Sequence, residues 1–510
     1  MPDEPPAPSS SYWLTRFVLL RLLGVVYAVA FLVAANQLLP LIGSDGLTPV
    51  GLFLDRVRQA VGSDFAGFLR LPSVFWLGHS DAALLTVSWV GFALSIVVVA
   101  GFANSLLMAI LWALYMSIVH VGQDWYGYGW ESQLLETGFL AIFLCPLLDA
   151  RPFPRRAPPR VVVWLFLWLI FRVMLGAGLI KLRGDAGWRD LSILSYFFET
   201  QPMPNPLSRW FHFLPKGTLA AGVVWNHVAE LAAPLLVLWP QRRVRVVGGA
   251  IIVLFQFSII LGGNLSFLNW LTVVPALACF DDLAWQRLLP AALTRRAQAA
   301  AGRAVPSRPQ TVAAWVVAAL VALLSIQPTV NLFSARQIMN TSYDPLDLVN
   351  TYGAFGSVGK ERPNVVFEGT DADDPQADDA AWKSYPYKGL PVDLRQRPPQ
   401  IAPYHLRLDW QMWFAAMSGP EEYPWTLHLV AKLLRNDPGA LGLFAANPFP
   451  DRPPRYVRAV LYTYKFAPPG NPDGAWWTRT REGLWLPPLA ADNPELNAFL
   501  EQSGWKTTSP

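Results

Sequence analysis

Apolar runs about 20 residues long recur through the first two thirds of this 510-residue chain, and that recurrence limits the possible folds most severely. Inside a bilayer only a helix or a closed barrel satisfies its own backbone, so runs of this length read as spanning helices. Nine are found before residue 330, at about 14–42, 82–101, 105–121, 132–148, 161–180, 219–239, 246–262, 266–280 and 312–328. Composition agrees. Charged residues make up only 15%, against about 25% in soluble proteins, so three soluble domains would lack solvating surface. The polar start MPDEPPAPSSS precedes a first run too long for a signal-peptide core, so that run is expected to be retained.

Loop charge gives the runs a direction, because Lys and Arg collect on the cytoplasmic side of spanning helices. Arg151, Arg155, Arg156 and Arg160 fill one loop; Arg242, Arg243 and Arg245 a second; Arg287, Arg295, Arg296, Arg303 and Arg308 a third. Two runs separate each from the next, so all three share one side. Counting back places the N-terminus there too, and counting forward places everything after about residue 329 on the other side. The 40 basic residues are nearly balanced by 36 acidic ones and sit between apolar runs, so the net charge of +4 reads as topology and no nucleic-acid partner is expected. Membrane lipid is the expected solvent. Cys145 and Cys279 both lie in apolar segments, which removes a disulfide framework and a C-x-x-C motif.

After residue 329 the sequence turns polar, Pro-rich and aromatic, which marks a separate soluble domain. Pro363 to Gly369 and Ser384 to Lys388 read as strands joined by an acidic loop; Arg455 to Phe466 and Ala475 to Arg481 read as a hairpin turned by PPGNPDG. Asp409 to Met417 and Leu427 to Asn436 have helical spacing. The expected fold is therefore a polytopic α-helical membrane protein of about nine spans with a C-terminal soluble α+β domain, divided as 1–13, 14–328 and 329–510.

Candidate site residues concentrate at the outer ends of the runs. Trp125, Tyr126, Tyr128 and Trp130 fit either an aromatic belt at the headgroups or a contact surface for lipid or peptide. Glu131 suits the positive end of the next helix. Glu136 lies a turn deeper, where an ionisable group is costly and tends to be functional. Lys181 follows Arg172 and precedes Arg183, Asp185 and Arg189; it either snorkels to the headgroups or, if buried, serves as a base. His227 and Glu230 share a helical face but lack a third ligand, so a hydrogen-bonded pair is expected there and no metal. Gln256, Asn264 and Asn269 read as interhelical glue. No P-loop, GxGxxG, HExxH or GxSxG element occurs, and no cofactor is expected.

Longer strings carry a resemblance: GQDWYGYGWESQLLETGFLAIFLCP (122–146), LIKLRGDAGWRDL (179–191), YFFETQPMPNPLS (196–208), GNLSFLNWLTVVPALACFDD (263–282), SARQIMNTSYDPLDLVNTYGAFGSVGKER (334–362), APYHLRLDW (402–410), QMWFAA (411–416) and NPFPDRPPRYVRAVLYTYKF (447–466). In these the chain resembles the lipase maturation factor family. The resemblance implies a membrane-anchored, chaperone-like factor for secreted client proteins, lipases among them. It implies the endoplasmic reticulum membrane in a eukaryote, or the inner membrane in a bacterium, with the C-terminal domain lumenal or periplasmic. On that reading Tyr404, Trp410, Trp413, Phe414, Trp476 and Trp477 join the four aromatic residues at 125–130 as client-binding candidates; the alternative is that they form the C-terminal domain's own core. A shorter string, GAGLIKLRGDAGW, is similar to the region around the catalytic lysine of membrane-embedded vitamin K-dependent carboxylases. That likeness implies an intramembrane enzyme with Lys181 as base and His227, Glu136 or His120 as helpers. Burial or exposure of Lys181 bears on the choice.

Overall fold

The structure, a computed structural model, describes residues 11–507, so the first ten residues of the polar N-terminal segment and the last three of the chain lie outside it. Among the described residues six helices are long and apolar enough to cross a membrane: α1 (Trp13–Ile42), α2 (Asp81–Ala100), α5 (Arg160–Arg183), α6 (Lys216–Val237), α7 (Arg242–Gly262) and α9 (Arg308–Phe333). The other three expected runs form shorter helices, α3 (Ser105–Val121), α4 (Gly129–Leu144) and α8 (Leu268–Cys279). Helix α4 carries Glu131, Gln133 and Glu136 and is buried nearly all round, so neighbouring helices, not lipid, supply most of its surroundings.

Close approach in this bundle depends on small residues. A Cβ at Gly91 of α2 would stand 2.3 Å from the Phe31 ring of α1, and one at Gly138 of α4 would stand 1.9 Å from the Tyr27 hydroxyl. Glycine at both places lets two large rings of α1 reach the facing backbones, the use of small residues typical of membrane bundles. Tyr115 of α3 then closes edge-on against Tyr27 and Phe31, with centroids 6.0 and 5.3 Å away.

Helix α6 is irregular for a local reason. Pro234 has no N–H and its ring crowds the carbonyl four residues back, at Glu230. The helix widens into a π turn over Val228–Ala232 before resuming at Ala233–Val237. Such turns re-aim side chains and often mark functional positions, and here the turn contains Glu230.

The Arg-rich loops meet on one face. Asp282 accepts from Trp13 N (3.1 Å) and Leu14 N (2.7 Å), capping the positive end of α1. Arg242 forks onto Asp281, Arg16 donates to the Arg156 carbonyl, and Val305 N donates to the Arg155 carbonyl.

The C-terminal part covers the opposite face. Four antiparallel strands, β1 (Arg362–Thr370), β2 (Lys383–Ser384), β3 (Tyr456–Phe466) and β4 (Trp477–Ala490), lie in the order β2-β1-β3-β4. The two expected strand pairs are thus joined into one sheet by β1 and β3, in register from Arg362↔Tyr464 to Thr370↔Tyr456. Helices α10 (Arg407–Ala415) and α11 (Trp425–Leu433) stand where helical spacing places them. One continuous apolar core runs from Leu19 and Tyr27 through Trp125 and Trp410 to Val460 and Trp477.

Candidate functional site

Three buried polar clusters organise the face between the helices and the C-terminal part. The first is built on Arg407, which is wholly buried and opens α10. Its Nη2 donates to Glu131 Oε1 at 2.9 Å, its Nη1 donates to the Trp125 carbonyl, and its guanidinium lies 3.4 Å over the Tyr126 ring. Tyr115 donates to the other Glu131 oxygen. Glu131 therefore meets far more than a helix dipole.

The second cluster holds Glu136. Arg172 donates to Glu136 and, at 2.7 Å, to the Asn350 carbonyl; Asn350 N and the Tyr352 hydroxyl donate to Glu136 Oε2 at 3.1 and 2.7 Å. Residues 350–352 precede the sheet, so this carboxylate also ties the C-terminal part to the bundle.

The third cluster holds Lys181, which is only 5% exposed. Its ammonium donates to Glu230 Oε1 at 2.6 Å and to Asn226 Oδ1 at 2.9 Å, and Asn226 Nδ2 donates to Glu230 Oε2 at 2.9 Å. The Trp188 ring lies 4.7 Å from Nζ. Snorkelling is thereby corrected: the π turn carries a carboxylate to Lys181, and a buried ammonium paired with it has no reason to reach the headgroups. Arg183 and Arg189 bond elsewhere, to Gln337 and to the Leu182 carbonyl. His227 and Glu230, read as a polar pair bonding between helices, each bond another element: Glu230 accepts from Lys181 of α5, and His227 Nε2 bonds the Trp188 carbonyl at 2.8 Å.

These positions do not assemble into one reactive centre. His120 lies between the Pro72 carbonyl and Asp347, away from Lys181, while Glu136 is held by Arg172. Burial of Lys181 meets one requirement of a base, and its ammonium is bonded to two acceptors of this chain. No group of three or more His, Cys, Asp or Glu side chains able to hold a metal occurs among the described residues. Cys145 and Cys279 are buried free thiols. Gln256 and Asn269 bond each other between α7 and α8 at 2.8 Å, whereas Asn264 pins the chain by accepting from Ile401 N and Ala402 N.

The aromatic candidates divide by burial. Trp125, Tyr126, Tyr128, Trp130, Trp410 and Trp477 are buried. Trp125 packs on Trp425 at 4.7 Å, Tyr128 stacks on Trp130 at 4.6 Å, and His405 and Trp410 close edge-on around that pair. Tyr404, Trp413, Phe414 and Trp476 remain half-exposed. Sequence reasoning missed the C-terminal halves of the clamps. Arg362, fully buried, donates to the carbonyls of Glu199 (3.1 Å), Gln201 (2.5 Å) and Pro202 (3.1 Å), and Glu199 accepts from Phe466 N at 2.6 Å. For Arg407 the one signal available was a lone Arg among apolar and aromatic residues (YHLRLDW); Arg362 follows Lys360 and Glu361 and gave no such signal.

Comparison with known proteins covers both halves. The lipase maturation factor transmembrane domain family matches residues 14–287, and the lipase maturation factor C-terminal domain family matches residues 348–487. Lipase maturation factor 1 of Bos taurus is 46% identical, with 98% of this chain and 93% of the relative covered. Lipase maturation factor 1 of Homo sapiens is 45% identical over 100% of this chain and 95% of the relative, and lipase maturation factor 2 of Homo sapiens is 29% identical over 98% and 85%. No solved structure matches.

Proposed function

The chain belongs to the lipase maturation factor family, and we propose from this that it is a membrane-anchored maturation factor that helps secreted lipases reach their active fold. The observation carrying this reading is a match that runs almost end to end, through helices and sheet alike, at 46% identity. The buried clamps support a scaffold role. Glu131, Glu136 and Lys181 each pair with an opposite charge of this chain, and of the three only Lys181 borders a cavity.

In this proposal all nine apolar helices lie at membrane depth, with α3, α4 and α8 shielded by longer neighbours. The Arg-rich face is cytoplasmic, and residues 329–510 face the lumen or periplasm. The half-exposed Tyr404, Trp413, Phe414 and Trp476 touch the client, because such rings bury large area at low entropy cost. The buried Trp125, Tyr126, Tyr128, Trp130, Trp410 and Trp477 form the base on which that surface rests.

The test is complementation. In cells lacking their own lipase maturation factors, the chain should raise the activity of a secreted lipase relative to its protein mass. Well-expressed chain with no gain in specific activity would overturn the proposal.

A further inference from the structure

A cavity of about 240 Å³ lies between α6 and α7, beside the Lys181 cluster. Its walls are mostly apolar, with Phe197, Phe255 and Leu265 among them, and its floor meets Lys181 and Asn226. Those two floor groups already bond each other and Glu230, and the Gln201 amide oxygen is left as a single buried acceptor without a partner in the lining, too few to hold water. A water needs two to four polar partners, and apolar cavities stay dry.

The mouth opens on an exposed, mostly apolar helix face. Leu214, Thr218 and Ser258 line the cavity and are exposed, and around Ser258 the outer face of α7 shows Leu254, Phe257 and Leu261. These side chains belong to the apolar surface of a spanning helix, which lipid must cover. From Thr218 at the outer end of α6 to Asn226 the lining descends eight residues of helix, about 12 Å at 1.5 Å per residue. One leaflet of a hydrocarbon core about 30 Å thick has nearly that depth. Lys216, exposed, stands two residues above Thr218, at the level where a phosphate headgroup would sit.

We propose that this cavity holds one acyl chain of an outer-leaflet phospholipid, entering sideways between α6 and α7 with its headgroup beside Lys216. The bound chain completes the packing around the Lys181–Glu230 pair and keeps water from it. This lipid site is independent of client binding, so its failure leaves the maturation role untouched.

The test uses the full chain in nanodiscs containing a phosphatidylglycerol with a photoreactive group at the end of one acyl chain. Residue-level mapping should place adducts on Phe197 and Leu265 above those on two exposed apolar residues outside the cavity, Leu235 near the far end of α6 and Val316 of α9. Ser258→Trp obstructs the mouth from an exposed position, and Gly222→Phe fills the interior, where a Cβ would already stand 2.8 Å from Leu194. Either should cut the cavity adducts about tenfold, the effect of losing contacts worth about two buried methylenes, without changing those on Leu235. Adducts no more frequent in the cavity than on Leu235, or unchanged by Ser258→Trp in protein that elutes as a single species, would overturn the proposal. Labelling only by the corresponding free fatty acid would also overturn it.

Discussion

Two buried residues show how much a single side chain can hold in this molecule. Lys181 neutralises Glu230 in the π turn, so Lys181→Met should leave a buried carboxylate alone and cost about 3–5 kcal/mol. A drop in thermal stability of the detergent-solubilised protein would show it, and adding Glu230→Gln should recover much of the loss. Asp409 makes a different case, outside the helical bundle. Its Oδ1 accepts from Gly389 N at 2.6 Å and Leu390 N at 3.0 Å, yet burial pushes its carboxyl up to about 6. A buried acid with a raised pKa disfavours the fold when ionised, so its penalty is complete above about pH 6 and is relieved as pH falls toward the ordinary range near 4. His428 opposes it. Burial pulls that imidazole down to about 4, so its contribution is complete above its ordinary value near 6.5 and is lost on acidification. Asp409→Asn keeps the acceptor and abolishes the carboxyl's titration. It should stabilise the protein at pH 7 and make acid loss between about pH 6 and 4 steeper than in the parent, by roughly 1.4 kcal/mol per pH unit. Melting curves across that range would check this; equal slopes for both proteins would refute it.

At the scale of elements, hydrophobic periodicity made much of the fold legible. The six long helices, both strand pairs and helices α10 and α11 all lie close to where apolar runs, alternation and turn residues place them. The pairing of β1 with β3 was not legible, because about 90 residues separate the strands and alternation says nothing about a partner. The π turn was half legible: Pro234 is visible inside an apolar run, but only packing shows that Glu230 is thereby turned onto Lys181. Pro234→Ala should let α6 close into regular helix and rotate Glu230 away. Although Ala is the better helix former, the variant should melt lower than the parent, since the ion pair outweighs the propensity gained. A higher melting temperature would mean that the turn is incidental.

At the scale of the molecule, the sequence suggests a boundary near residue 329, and buried contacts cross it. Composition does change there, but composition cannot show that each half lacks what the other supplies. Arg362 and Arg407 of the C-terminal part find their acceptors on Glu199, Gln201, Pro202, Trp125 and Glu131 of the membrane part, while Arg172 donates to the Asn350 carbonyl and Glu136 accepts from Asn350 N and the Tyr352 hydroxyl. Trp410 and His405 are likewise covered by Tyr128 and Trp130. Cutting between the halves would strand two buried guanidiniums and expose an aromatic face, and each uncompensated buried charge costs several kcal/mol against a total stability of about 5–15. Residues 329–510 expressed alone should therefore fail to fold, despite their own four-stranded sheet. Expressed together with residues 1–328 in the same membranes, they should co-purify as a single species by size exclusion. Because the clamps are many, Arg407→Met should weaken that association without abolishing it. A cooperative melt of the isolated segment near the temperature of the full chain would show that the sheet carries its own stability, and that the buried clamps fasten two finished domains instead of completing one.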